Sequence, residues 1–226
     1  MIVEFLGISG VGKSYVATQY CNYLEDKGVS YVWPWRSIYS KGYISRNLKK
    51  SFAVLWEMIT SPKWCCRLFR YLHQQGINGK RDLPVLFFNG IYLHHALENY
   101  DSVDGVALFD EGLAQYLWAV HFRNRKPITH IEMDNVKGLF KLPQTLYVVM
   151  ANSDVILRRM EERNVRDEIR ERGDAMAEIE NGQRMVDMVS KTLASELGAE
   201  VEIIENNDNR TPKGGFIHFF EKHNIV

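Results

Sequence analysis

The feature that most constrains the fold of this 226-residue chain is a glycine-rich segment after its first apolar run. The chain begins MIVEFLGISGVGKS, and residues 7–14 of it match the pattern G-x-x-x-x-G-K-S. This pattern, the Walker A loop, is typical of a turn between a strand and a helix whose backbone N–H groups surround a phosphate. Residues 2–6 predict the strand, and the apolar spacing of residues 14–27 predicts the helix.

Each part of this loop has an expected role in holding a nucleoside triphosphate. Lys13 is expected to place its charge on the β and γ phosphates, and the hydroxyl of Ser14 to bind Mg²⁺. The helix that begins there directs its positive N-terminal end at the same phosphates. ATP and Mg²⁺ are therefore the expected cofactors. The predicted cofactor-binding residues in this part of the chain are Gly7, Ser9, Gly10, Val11, Gly12, Lys13, Ser14 and Tyr15.

The composition narrows the class of protein. Lys plus Arg and Asp plus Glu both number 28, so no global charge favours nucleic acid as a specific partner. No apolar run approaches the roughly 18 residues of a transmembrane helix, and Met1 leads directly into the first predicted strand, leaving no room for a signal peptide. Cys21, Cys65 and Cys66 form no C-x-x-C pair, and we expect buried, reduced thiols in a cytoplasmic protein.

The order of the predicted elements favours a single α/β domain over residues 1–226. Strands are predicted at 2–6, 29–33, 105–109, 146–150 and 201–205, and helices at 14–27, 44–73, 84–99, 112–122, 154–172, 178–197 and 216–223. Such alternation predicts a parallel sheet between two layers of helices, as in P-loop NTPases, with ligands at the carboxyl ends of the strands. Residues 37–100 are expected to form a helical region on the acceptor side, and residues 155–175 an arginine-rich lid.

Two acidic residues follow the third predicted strand. Asp110 and Glu111 come directly after the apolar run 105–109, on a strand that we expect beside the first. A carboxylate there can bind Mg²⁺ or accept a proton from the attacking group. Asp110 comes first and is the stronger candidate for both roles, and Glu111 is the second. The alternative is a pair of acidic residues that stabilise a helix N-terminus through its dipole.

Arginines are concentrated after the strand predicted at 146–150. Arg159, Arg163, Arg166 and Arg170 recur at helical spacing and can share one face. Guanidinium groups in such an arrangement can neutralise a phosphoryl group during its transfer. Acidic residues are interleaved with them, so a solvent-exposed helix with many ion pairs is the alternative.

The order of these motifs resembles that of the P-loop nucleotide and nucleoside kinases, and the thymidylate kinase-like branch is the nearest match. The resemblance rests on the Walker A loop, Asp110-Glu111-Gly112, the strand at 146–150, the arginine-rich segment and the polar loop 204–212. It implies phosphoryl transfer from ATP to a small acceptor, most directly a nucleotide or a nucleoside. It also implies that Arg163 and Arg166 are catalytic lid residues and that Asn207 and Arg210 lie near adenine.

The chain departs from the pattern of that family after its third strand. The family has Asp-Arg followed by an aromatic residue, or Glu-Arg-Ser, where this chain has Asp110-Glu111-Gly112. The arginine that would hold the phosphate of the acceptor is therefore missing. A kinase of a non-nucleotide acceptor, such as a sugar, an antibiotic or a lipid-linked saccharide, stays open. So do an NTP-driven regulatory switch and a homodimer.

The acceptor-side region has a charge signal of its own. Between Arg36 and Arg81 there are ten Lys or Arg residues and one acidic residue, Glu57, for a local charge of +9. Aromatic residues are interleaved with these cations. Such a segment can bind an anionic acceptor or make peripheral contact with a membrane through residues 44–73. The alternative is a helical subdomain with its aromatic side chains inside and its basic side chains outside.

Overall fold

The computed structural model describes residues 1–34, 36, 43–100, 104–124, 133–162, 174–207 and 215–222. Five parallel strands form one sheet in the order β2-β3-β1-β4-β5. The strands are β1 (Ile2–Leu6), β2 (Tyr31–Val32), β3 (Val106–Phe109), β4 (Thr145–Met150) and β5 (Glu200–Glu205). The predicted α/β fold with a parallel sheet is confirmed.

The described helices connect and flank these strands. They are α1 (Lys13–Asp26), α2 (Tyr43–Thr60), α3 (Pro62–Gln74), α4 (Asp82–Tyr100), α5 (Leu113–Asn124), α6 (Met133–Lys137), α7 (Ser153–Glu162), α8 (Ala175–Leu197) and α9 (Gly215–Lys222). Most lie within a few residues of their predicted positions, although the short helix α6 was not predicted. Of the helix predicted at 154–172, residues 163–172 lie outside the described residues. None of the described helices is both long and apolar enough to cross a bilayer.

The position of β1 in the sheet determines where the functional loops meet. Strand β1 is buried throughout and lies between β3 and β4, so that Val3 pairs with Leu108 on one side and with Thr145 on the other. All strands run in the same direction, so their carboxyl ends lie along one edge of the sheet. The Walker A loop therefore emerges between the segments that follow β3 and β4, where parallel sheets of this kind bind ligands.

Two expectations about side-chain burial are wrong. The helical-subdomain alternative placed the aromatic residues of residues 44–73 inside, which holds for Tyr71 and in part for Trp64, but Phe52, Trp56 and Phe69 are exposed. Cys65 is buried as predicted, whereas Cys66 is exposed, because it lies on the outer side of α3, opposite the residues that pack against α4. The cysteines are all unpaired thiols, as the sequence predicts.

Candidate active site

The Walker A loop has the backbone shape that its glycines predict. Gly10 and Gly12 adopt φ angles of 88° and 92°, in the left-handed region that favours glycine. A Cβ atom on Gly12 would lie 2.4 Å from Nδ2 of Asn206, so a larger residue would also clash. The ammonium group of Lys13 donates hydrogen bonds to the carbonyl oxygens of Gly7 and, at 3.3 Å, of Ile8. The lysine thus lies back across its own loop, and Ser14 is exposed in the first turn of α1.

Residues from both ends of the fold hold this loop in place. Asn206, which is buried directly after β5, donates from Nδ2 to the carbonyl oxygen of Val11 at 2.7 Å. Arg159 on α7 donates to the same carbonyl at 3.3 Å and to that of Asn206 at 2.9 Å. On the opposite side, the backbone N–H of Gly7 donates to Oε1 of Gln115 on α5 at 3.4 Å. The loop is therefore tied to three other elements before any ligand binds.

Asp110 lies beside this loop, in the position that its place after β3 predicts. Its carboxyl group is buried and accepts a hydrogen bond from Nε1 of Trp33, the residue after β2, at 3.0 Å. Burial raises the pKa of the Asp110 carboxyl group, while the hydrogen bond from Trp33 and the positive charge of Lys13 lower it. Arg36 lies over the indole ring of Trp33, 5.5 Å from its centroid. The second carboxylate, Glu111, is exposed.

A buried acidic residue that the sequence analysis treated as part of an apolar strand supports the segment after Asp110. Glu4 lies in the middle of β1, and its two carboxylate oxygens accept hydrogen bonds of 2.8 Å from the backbone N–H groups of Leu113 and Ala114. It thereby caps α5 from within the sheet. A Cβ atom on Gly112 would lie 2.2 Å from Cδ of Glu4, so the carboxylate occupies the space of a side chain at position 112. Burial raises the pKa of Glu4 to about 7, against the lowering effect of the two backbone hydrogen bonds.

A pocket of about 220 Å³ opens next to these residues, between α2, α4 and α5. Its polar lining includes Lys50, Asn89, Glu111, Gln115 and Arg123, and its aromatic lining includes Tyr92 and Tyr116. Gln115 connects the pocket to the Walker A loop through the hydrogen bond from Gly7 described above. The ammonium group of Lys50 lies 5.1 Å from the ring centroid of Tyr92. The pocket therefore adjoins the predicted phosphate-binding loop, and Glu111, not Asp110, lines it.

The structure brings together only part of the predicted site. Lys13, Ser14, Asp110 and Glu111 lie around the ends of β1 and β3, and Tyr15 is partly exposed with its ring 6.2 Å from that of Phe216. Asn207 accepts a hydrogen bond of 2.7 Å from the backbone N–H of Asn152. Arg163, Arg166, Arg210 and the lid beyond residue 162 lie outside the described residues.

Sequence reasoning missed several residues that the structure places here. Trp33, Gln115 and Asn206 each act through a contact between distant parts of the chain, which no local pattern reveals. Glu4 is the one of these residues with a signal in the sequence, because it is a charged residue inside an otherwise apolar strand. Among the described residues, no group of three or more His, Cys, Asp or Glu side chains is placed where it could hold a metal ion.

Comparisons with known proteins bear on the fold. No protein-family model and no curated protein sequence matches this chain. A solved structure of thymidylate kinase from Ehrlichia chaffeensis is similar, with a TM-score of 0.50 and 10% sequence identity. The similarity covers 100% of this chain and 98% of that chain. The five-stranded parallel sheet flanked by helices therefore matches a P-loop kinase fold, and the match extends over the whole chain.

Proposed function

We propose that this protein is a P-loop phosphotransferase that transfers a phosphoryl group from ATP to a hydroxyl group of a small acceptor. The observation that carries the proposal is the pocket of about 220 Å³ that adjoins the Walker A loop and is linked to it by Gln115. A kinase needs two adjacent sites, one for the donor phosphates and one for the acceptor. An NTP-driven switch would need only the first of these sites. The fold of the thymidylate kinase neighbour supports the same reading.

The residues of the loop fit the phosphates of ATP and a magnesium ion. The left-handed backbone at Gly10 and Gly12 is a conformation that glycine permits in such a loop, and Lys13 can move from its own loop carbonyls to the β and γ phosphates. The hydroxyl of Ser14 and the carboxylate of Asp110 are oxygen ligands of the kind that Mg²⁺ prefers. Mg²⁺, when bound, would neutralise charge that develops on the transferred group.

Asp110 and Glu111 are assigned different roles on the basis of their surroundings. Asp110 is buried, which raises its pKa, while the hydrogen bond from Trp33 and the nearby charge of Lys13 favour the ionised form. These features suit a residue that orients a metal ion or water on the donor side. Glu111 is exposed and lines the acceptor pocket, so it can orient the acceptor hydroxyl group and accept its proton. In the proposal, arginines of the segment 163–173 neutralise the transferred phosphoryl group.

The chemistry of the pocket favours an acceptor that presents a hydroxyl group rather than a phosphate. Glu111 replaces the arginine that would hold an acceptor phosphate, and its carboxylate can hydrogen-bond to a hydroxyl group. Of the two cations that line the pocket, Arg123 is paired with Asp82 at 3.1 Å and Lys50 lies over the ring of Tyr92. A nucleoside is the first candidate, because Tyr92 and Tyr116 offer aromatic surface beside the amides of Asn89 and Gln115. A sugar or another small polyol is the second candidate, because about 220 Å³ is below the roughly 300–1,000 Å³ of typical ligand pockets.

A thermal-shift experiment in two stages tests this proposal. The first stage adds Mg²⁺ and a non-hydrolysable ATP analogue, which should raise the melting temperature of the wild type and not that of Lys13→Ala. The second stage adds nucleosides, nucleoside monophosphates and sugars on top of the analogue. Nucleosides or sugars should give a further rise that Glu111→Gln removes and that the control Glu200→Gln, at an exposed position at the amino-terminal end of β5, retains.

Two results would count against the proposal. Absence of any shift with the ATP analogue would argue against a donor site in the Walker A loop. A preference for monophosphates over the matching nucleosides would refute the role of Glu111 and restore a nucleotide as the acceptor. Acceptor-dependent consumption of ATP then separates a kinase from a switch, because a switch would hydrolyse ATP at a rate independent of the small molecule.

A further inference from the structure

Helix α2 presents its apolar face to the outside of the protein. Five large side chains at helical spacing are 55–72% exposed, namely Leu48, Phe52, Leu55, Trp56 and Ile59. The opposite side of the same helix carries Glu57, which is buried, and Lys50, which lines the acceptor pocket. An ordinary surface helix has the reverse arrangement, with its apolar stripe against the core. The exposed stripe therefore needs a partner outside the described fold.

The stripe is large for an uncovered surface. A fully exposed side chain of this size has roughly 200 Å² of surface, so the five together expose roughly 600 Å². That area is at the upper end of the apolar patches that monomeric proteins present to water. It continues into an open groove of about 630 Å³ that begins at Met58 of α2 and runs along α3, past Cys66 and Phe69, to Phe87 of α4.

The charge beside this stripe is of one sign. On α3, Lys63, Arg67 and Arg70 are exposed, and Arg70 lines the same groove as Met58. The guanidinium group of Arg67 lies against Gly138, where an added Cβ atom would be 2.3 Å from one of its nitrogens. Between residues 43 and 81 the only acidic residue is Glu57. Its carboxylate lies 2.8 Å from Nδ1 of His95 and 3.9 Å from Nε2 of His94, on the inner side of α2. The single negative charge of this segment is therefore directed into the protein, and the charged side chains exposed on the described part of the segment are cationic.

We propose that this surface, the α2–α3 face, binds the surface of an anionic membrane. The face is defined by the apolar stripe of α2 and by Lys63 and Arg70 of α3. Apolar and aromatic side chains that enter the boundary between headgroups and acyl chains, together with cations that contact anionic headgroups, are the two parts of an interfacial binding site. The proposal does not depend on the phosphotransferase activity.

Charge favours a membrane over a second copy of the chain. In a symmetric dimer the α2–α3 face would meet its own copy, and cations would face cations without an acidic residue between positions 43 and 81 to pair with them on the surface. An anionic lipid surface is complementary to this face in charge.

Co-sedimentation with vesicles tests the apolar part of the proposal. The probes are vesicles of phosphatidylcholine alone and vesicles of equimolar phosphatidylcholine and phosphatidylglycerol. The wild type should bind the second kind, and the triple variant Leu48→Gln, Phe52→Gln, Ile59→Gln should lose at least about tenfold in affinity. The matched control is Ile203→Gln on β5, which is 62% exposed and should bind as the wild type does. All of these side chains are mostly exposed, so thermal unfolding should change little.

A second pair of variants tests the charges. Lys63→Gln with Arg70→Gln should weaken binding to the anionic vesicles by about fivefold for each charge removed. The control Arg184→Gln with Lys191→Gln removes two exposed cations from α8 and should have no effect. Equal binding of the wild type to both kinds of vesicle, or equal losses in the variants and their controls, would overturn the proposal.

Light scattering of the protein alone distinguishes the alternative occupant. We expect the wild type to scatter as a monomer without vesicles. A dimer that the triple variant of α2 converts to a monomer, together with no binding to either kind of vesicle, would assign the stripe to a second copy and refute the membrane proposal.

Discussion

Burial of Glu4 makes a defined contribution to the pH dependence of stability. The pKa of this carboxyl group rises from an ordinary value of 4.5 to about 7 in the folded protein. In the unfolded chain the group loses its proton near pH 4.5, whereas in the folded protein it keeps the proton until about pH 7. The unfolded state therefore binds fewer protons in this window, and the free energy of unfolding falls as the pH rises. The difference corresponds to about 3 kcal/mol across the window.

His121 on α5 acts in the opposite direction. Its ring is buried, neither ring nitrogen has a hydrogen-bond partner in the described part of the chain, and burial lowers its pKa to about 4. As the pH falls below 6.5, the unfolded chain gains a proton that the folded protein does not accept, so stability is lost by about 3 kcal/mol down to pH 4. Between pH 4.5 and 6.5 the contributions of Glu4 and His121 to the pH dependence of the free energy of unfolding nearly cancel. They can be separated by substituting one of the two residues at a time.

The perturbation is Glu4→Gln, measured by urea unfolding at a series of pH values. Glutamine cannot ionise, so the variant should lose the decline between pH 4.5 and about 7 that Glu4 causes. Relative to the wild type, its free energy of unfolding should rise by about 3 kcal/mol across this window. The free energy of unfolding of the variant at low pH should be about 1–3 kcal/mol lower than that of the wild type. Glutamine has one oxygen where glutamate has two, so its NH₂ group would face a backbone N–H group and one hydrogen bond would be lost.

The control for this measurement is Glu205→Gln, at an exposed position on β5, which should follow the wild-type profile. A variant at position 4 with the same dependence on pH as the wild type would refute the reasoning. It would mean that Glu4 is ionised in the folded protein, with its two backbone hydrogen bonds outweighing the cost of burial. His121→Leu should give the opposite change, since it removes the loss of stability below pH 6.5.

Three further predictions concern the proposed activity. Lys13→Ala should reduce phosphoryl transfer at least about tenfold without unfolding the protein, because a charge-assisted contact to phosphate is worth about 1.5–3 kcal/mol. Activity within about tenfold of the wild type would exclude the Walker A assignment. Asp110→Asn should lower turnover by about 10²-fold, and Glu111→Gln should mainly impair the step that involves the acceptor. If steady-state kinetics show that Asp110→Asn alters only the KM of the acceptor, the roles proposed for Asp110 and Glu111 are exchanged. If the acceptor is anionic, its KM should rise between low and physiological salt more than the KM of ATP, and equal responses would exclude attraction by the cations of residues 36–81.

The sequence predicts the fold well because the fold depends on local patterns. The Walker A loop fixes a strand before it and a helix after it, and the alternation of apolar strands with amphipathic helices then leads to a parallel sheet. The length of β2 was overestimated, since the structure has only Tyr31–Val32 where residues 29–33 were predicted. Tyr31 pairs with Val106, the first residue of β3, and Val32 pairs with Ala107, so the predicted strand residues before Tyr31 have no paired residue in β3.

The candidate site is less predictable because much of it consists of contacts between distant residues. Trp33 and Asp110 are 77 positions apart, and Asn206 and Val11 are 195 apart. The sequence also does not predict whether the apolar face of α2 is directed to the core or to the outside. Periodicity shows that Leu48, Phe52, Leu55 and Ile59 share a face, but it contains no information on whether that face meets the core or the outside.

The contact between Glu4 and Gly112 gives a physical reason for the unusual segment after β3. With the carboxylate of Glu4 in the space beside position 112, the only residue that fits there is one without a side chain. The capping hydrogen bonds to Leu113 and Ala114 then fix the start of α5 at Leu113, and Glu111 lies two residues before that point, at the wall of the pocket. The contact between Glu4 and Gly112 thus sets the backbone position of Glu111, which replaces the arginine of the family that the chain resembles. Under the proposed function, an acceptor would lie against this carboxylate as well as against Lys50 and Arg123, and the missing arginine is the reason to test hydroxyl acceptors beside phosphates.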